Sequence, residues 1–142
     1  MAVLTDEFKL EYDSMVKIRI AGSSYAGQGS FSYINDIGAR IRRKPQQMAR
    51  PFENTSIKKQ GQFQNSIFIE WNKLTTPNET GNSYIFEYIL KTDRGNNEFK
   101  EVYRGLDASH IIYKPRQGTT YTFRVQARNV YGFGPLSDEL TV

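Results

Sequence analysis

The chain has 142 residues, 38% of them hydrophobic and 13% aromatic, so there is room for one domain of ordinary size with a real core and not for a large catalytic fold. Nineteen Lys and Arg against fifteen Asp and Glu leave a net charge of +4, too mild for a nucleic-acid-binding tail. Cysteine is absent and histidine occurs once, which excludes disulfides, thiol chemistry and a multi-histidine zinc site.

Taken in chain order, the first apolar run is only Ala2 to Leu4 and is followed at once by Asp6, Glu7 and Lys9. That is neither a signal peptide nor a membrane span, and no later apolar stretch approaches the about 18 residues a span requires. A cytoplasmic or cytoskeletal location is therefore favoured over an extracellular one, and no membrane insertion is expected. Residues 1–37 carry an amphipathic hairpin in which Ile18, Ile20 and Phe31 form an apolar face. Two strands cannot cover such a face by themselves. It is expected to meet another protein, as in strand complementation.

Residues 38–50 read as a basic linker bounded by Pro45 and Pro51, with Arg40, Arg42, Arg43 and Lys44 as candidate contacts for an acidic partner. Beyond it, residues 51–142 alternate with a period of two. Ile67, Ile69 and Trp71 form one series, Tyr84, Phe86 and Tyr88 a second, and Tyr121, Phe123, Val125 and Ala127 a third. Turn formers separate them at Thr75 to Gly81, Asp93 to Asn97 and Lys114 to Gly118. The pattern is that of an antiparallel sandwich or barrel, with the three series facing one another in the core. Phe68, Ile85, Ile89 and Ile112 then fall on outward faces, where they could mark a contact surface.

Shifting the sequence by 105 residues lays Arg19 on Arg124, Ile20 on Val125, Gly27 on Gly132, Gly29 on Gly134 and Ser32 on Ser137. The chain thus holds one complete unit and the tail of another.

Residues that could carry chemistry do not assemble. His110 lies on a strand, in the phase opposite to a buried Ile111, with no Gly-x-Ser-x-Gly elbow anywhere. Asp6 with Glu7 and Asp138 with Glu139 are neighbours that a strand sends to opposite faces. The acidic residues are too scattered for a calcium loop, and neither Gly27-Gln-Gly29 nor Gly132-Phe-Gly134 opens a phosphate-binding helix. No cofactor, metal, nucleic acid or catalysis is expected. Asn54 and Asn78 head formal glycosylation triplets, relevant only to a secreted chain.

With these residues in place, the segment from Pro51 to Val142 resembles a fibronectin type III domain. Ile67-Phe-Ile-Glu-Trp71 is similar to the family's second strand and its terminal Trp, and Tyr84-Ile-Phe-Glu-Tyr88 to the third. Tyr121 through Asn129 to Gly132, Gly134 and Ser137 is similar to the sixth strand and its loop into the seventh. The corner before Tyr121 departs from the family pattern, with Tyr113 in place of a Leu and two extra residues. Met15 to Ser32 resembles the last two strands of a preceding type III unit.

The resemblance implies an all-β, immunoglobulin-like seven-stranded antiparallel sandwich preceded by a partial domain. It also implies that Tyr121 bonds back to an upstream carbonyl through its hydroxyl. The function it implies is a non-catalytic interaction or structural module, one link of a tandem array, with an intracellular structural or ciliary-type assembly ahead of an extracellular adhesion or receptor segment. The chain has no Arg-Gly-Asp and no Trp-Ser-x-Trp-Ser motif. An accessory domain of a carbohydrate-active or other enzyme is the rival from another class.

Overall fold

The computed structural model describes residues 10, 14–35, 38–57, 61 and 64–142. They form two compact units, divided between Arg42 and Arg43.

In the first unit, β1 (Met15–Val16) pairs antiparallel with β4 (Ala39–Arg40), and β2 (Ser23–Ser24) with β3 (Gly27–Gln28). The β2–β3 turn closes because Gly27 takes a φ of 124°, a value open to glycine without steric cost.

The second unit is built from two antiparallel sheets. The smaller has the order β5 (Phe52–Glu53), β6 (Ser66–Glu70), β9 (Ser109–Tyr113). The larger runs β8 (Lys100–Gly105), β7 (Ile85–Asp93), β10 (Thr122–Asn129), with β11 (Gly132–Phe133) and β12 (Leu140–Thr141) as successive stretches along the other side of β10. Counting those two stretches as one strand gives the expected seven.

Ile67, Ile69 and Trp71 from one sheet meet Tyr88, Leu90, Phe123, Val125 and Ala127 from the other in a single buried cluster. Each is a side chain whose burial is worth roughly 1.5–3 kcal/mol when it is a large aliphatic or aromatic group. Trp71 and Phe123 are 2% and 0% exposed, so the alternation at β6 and β10 is realised as core.

The β7 alternation is not realised as expected. Tyr84 is 69% and Phe86 47% exposed, whereas Ile85 is 7% exposed and packs in the core. The register explains the reversal: Arg128 pairs with Glu87 but Asn129 pairs with Ile85, so Phe86 is the extra residue of a β-bulge. The bulge brings Ile85 and Tyr88 to one side and turns Phe86 out. Ile89 does share the outer face of β7 with its register neighbours Gln126 and Arg104, but it is only 1% exposed and is no contact residue. Long polar side chains covering an apolar one account for this.

On β9, Ile112 and His110 pair with the inward Ile67 and Ile69, and Ile111 pairs with the half-buried Phe68. The phase inferred for His110 and Ile112 is therefore inverted. At Tyr121 the hydroxyl does bond to upstream backbone, but it accepts the Arg116 N–H at 2.9 Å instead of donating to a carbonyl.

Candidate interaction surfaces

The two Gly-x-Gly hairpins superpose bond for bond. In the second unit Gly134 N donates to Ala127 O at 2.9 Å and Ser137 N to Val125 O at 2.8 Å, while Val125 N donates to Ser137 Oγ at 3.0 Å. In the first unit, 105 residues earlier, Gly29 N donates to Gly22 O at 2.8 Å, Ser32 N to Ile20 O at 2.6 Å, and Ile20 N to Ser32 Oγ at 3.0 Å. Tyr131 N reaches Asn129 Oδ1 at 2.9 Å, and its counterpart Ala26 N reaches Ser24 Oγ at 3.2 Å. Gly27 and Gly132 share the same φ of 124°.

Burial separates the two copies. Phe123 and Val125 are both 0% exposed, while their counterparts Ile18 and Ile20 are 62% and 72% exposed. Phe31 is half exposed at 50%, with the Arg19 guanidinium 4.4 Å from its ring centroid. Ile18 and Ile20 thus share the phase of the buried Phe123 and Val125 but are exposed.

A second surface lies at one pole of the second unit. Here α1 (Pro77–Thr80) begins at Thr76, whose hydroxyl accepts the Glu79 N–H while the Glu79 carboxylate accepts the N–H groups of Thr75 and Thr76. Those backbone bonds hold the Glu79 carboxyl below its usual range. Asn129 Nδ2 donates to Arg43 O at 2.7 Å and to Thr80 O at 3.0 Å. One buried amide thereby ties the sixth strand, the helix and the residues entering the domain.

From Arg43 onward the basic stretch is part of this pole. Arg43 N donates to Gly81 O and Gln46 N to Glu79 O, and Met48 is 3% exposed within the core cluster. Arg43 Nη2 donates to Asn78 Oδ1 at 2.9 Å, so its guanidinium is engaged on the helix. Arg40, Arg42 and Lys44 are exposed.

On the outer face of the larger sheet, Glu87 Oε1 accepts Arg104 Nη1 at 2.7 Å and Arg128 Nη1 at 3.1 Å, and Arg104 also grips Glu101. Arg128 sits 5.0 Å from the Phe133 ring centroid. Exposed Tyr84 and Phe86, 6.1 Å apart, extend this patch toward the pole.

Inside, the rings of Trp71, Tyr103 and His110 follow one another in tilted contact, with centroids 5.5 and 5.4 Å apart and interplanar angles of 53° and 41°. Burial pushes the His110 imidazole below its usual pKa. Among the described residues no group of three or more His, Asp or Glu side chains converges as a metal site requires, and no helix is long and apolar enough to cross a membrane.

Trp71, Tyr88, Tyr121, Phe123 and Val125 lie in the buried cluster, and Asn129 and Ser137 have polar roles that alternation does not assign. The self-comparison aligns Ser32 on Ser137, so that signal was present for the serine. Asn129 aligns with Ser24 and carried no such mark.

These observations define an immunoglobulin-like sandwich. The fibronectin type III domain model matches residues 51–142, and the chain belongs to that family. Mouse fibronectin type III domain containing protein 3C1 is 29% identical over 132 residues, covering 93% of this chain and 9% of that protein. Human fibronectin type-III domain-containing protein 3A is 28% identical over 131 residues, 92% of this chain and 10% of that protein. The chain thus spans about a tenth of the length of these curated relatives. The solved sixth type III domain of human fibronectin type III domain containing protein 3 is similar in fold, with a TM-score of 0.55, 24% identity and coverage of 69% of this chain and 83% of that one. Domains of this family serve in general as protein-interaction or structural modules.

Proposed function

We propose that the chain is a non-catalytic link in a tandem type III array, in which residues 1–37 contribute the last two strands of one unit and the second unit is complete. The observation that carries this reading is the bond-for-bond recurrence of the β10–β11 hairpin at Gly22 to Ser32. A hairpin of this kind is marginal alone and is built to be covered. The matches of 131 and 132 residues exceed the length of segment 51–142 and so run into the first unit, which supports an array over an isolated domain.

Cross-linking in cells through Lys17, read by mass spectrometry, tests the array. Links from Lys17 to strands of other type III units are expected. Links confined to this chain, or to proteins without such units, overturn it.

Within that class an intracellular structural assembly is the finer reading, ahead of an adhesion or receptor segment. It is supported by a chain that builds its sandwich on apolar and hydrogen-bonded contacts with no cysteine. Glycopeptide analysis at Asn54 and Asn78 of the natural protein is expected to find both bare, and glycans there would favour the extracellular alternative.

A further inference from the structure

We infer that the outer face of the larger sheet, around Tyr84, Phe86, Arg128 and Phe133, docks an uncharged proline-rich segment of a partner protein in the polyproline II conformation, with prolines three residues apart seated on the aromatic rings of β7 and β11. This goes beyond the array reading and does not depend on it.

The sheet itself places the rings. At the bulge, Phe86 and Glu87 lie together beside Arg128 of β10, and Arg128 in turn stands opposite Phe133 of β11. Tyr84, Phe86 and Phe133 are 69%, 47% and 42% exposed, and the Tyr84 hydroxyl makes no hydrogen bond among the described residues. Exposed aromatic rings with an arginine among them have the composition of an interface centre.

Three observations select the occupant. The first is charge. Glu87 and Glu101 balance Arg104 and Arg128, with Glu87 held by the two arginines at 2.7 and 3.1 Å. A charged partner meets a like charge in this cluster, whereas an uncharged one leaves its pairs intact. The second is spacing. Adjacent strands lie about 4.8 Å apart, so β7 and β11, on either side of β10, are about 9.6 Å apart. A polyproline II helix advances about 9.3 Å in one turn of three residues. Prolines at i and i+3 of a segment crossing the strands therefore fall on Tyr84 with Phe86 and on Phe133, and the carbonyls between them fall over Arg128. Those carbonyls have no partners within their own helix. Arg128 spends Nη1 on Glu87 and keeps Nε and Nη2 as donors among the described residues. The third is size. Three rings and an arginine fall well short of the about 800 Å² per partner that an ordinary stable complex buries, which suits a short segment and not a second copy of the sandwich.

The test titrates the isotope-labelled full chain with decaproline, with a decapeptide of alternating Gly and Ser, and with decaproline carrying Glu at two positions. Millimolar decaproline is expected to shift the amide resonances of Phe86, Arg128 and Phe133, and the equally uncharged Gly-Ser peptide to shift none of them. Phe86→Ala and Phe133→Ala should each weaken decaproline about tenfold, whereas Tyr113→Ala, at an exposed ring on β9 of the smaller sheet, should leave it unchanged. Trp71 fluorescence reports that each variant is folded. Because the charges are balanced, affinity should change less than about twofold between low and high salt. Four results overturn the proposal: no shifts with decaproline, equal shifts with the Gly-Ser peptide, shifts at these amides on raising the protein concentration alone, which mark a second copy, or tighter binding of the Glu peptide that fades with salt, which marks an acidic partner. Cross-linking at Lys17 reads the array separately, so either proposal can fail without the other.

Discussion

The two hairpins of this chain share their hydrogen bonds and differ in nearly everything that tertiary packing supplies. Gly27 and Gly132 turn the chain with one φ, and Ser32 and Ser137 each cap the same backbone amide through the same oxygen. Yet Val125 is sealed and Ile20 stands open. Local geometry here is written by turn glycines and a serine hydroxyl, whereas stability is conferred by the facing sheet. The same bonds should therefore matter greatly in one copy and little in the other.

The largest contrast is expected in the apolar face. Phe123→Ala removes a fully buried ring and should cost about 3–5 kcal/mol, a large share of a domain's typical total of about 5–15 kcal/mol. Ile18→Ala, at the aligned position, should change the stability of the chain by less than about 0.5 kcal/mol, as exposed substitutions do. Urea denaturation followed by Trp71 fluorescence measures the first, and hydrogen exchange at Ile20 and Ser32 the second. Equal losses in the two copies would mean that the first hairpin is covered after all.

A smaller contrast belongs to the polar bonds. Ser137→Ala strands the buried Val125 N–H and should cost about 1–3 kcal/mol, while Ser32→Ala lets water reach the exposed Ile20 N–H. Gly134→Ala behaves like the former, because its new methyl would lie 2.6 Å from Pro45 O and the backbone must move, by an amount worth roughly 1–3 kcal/mol. At Gly29 the nearest atom is Gly22 O at 3.4 Å, an ordinary contact, so alanine there is expected to be nearly neutral. Thermal melts of the four variants separate the pairs.

Much of the sandwich was legible because a strand with one buried face must alternate, and Ile67 and Ile69 of β6 and Phe123, Val125 and Ala127 of β10 keep one phase. The failure at β7 is equally physical. A bulge inserts one residue and reverses the phase on one side of it, and nothing in Tyr84-Ile-Phe-Glu-Tyr88 distinguishes a bulged series from a regular one. Ile89 escaped for another reason, since alternation tells the face but not what covers it. The basic stretch was read by composition as a tether, yet its backbone amides are satisfied by Gly81 and Glu79, partners some 35 residues away that composition cannot reveal. Of the candidate site, the open face at Ile18 and Ile20 was visible as an amphipathic pattern.

The smallest expected effect concerns pH and falls on the second unit alone, since the chain's one histidine, His110, lies there. Its side chain faces inward from β9 against the Tyr103 ring, and desolvation lowers its folded pKa below the ordinary value. Above the unfolded value near 6.5 the imidazole is neutral in both states and contributes no pH dependence. As pH falls through that value the unfolded chain takes up a proton that the folded chain does not, so the unfolded state is favoured and stability declines. The decline stops once pH passes below the folded pKa and both states are protonated. His110→Gln should flatten this step between pH 7.5 and 5 while leaving the acid limb that carboxylates produce. Urea midpoints at half-unit intervals of pH measure the difference, and a step that persists in the variant would assign the dependence to another group.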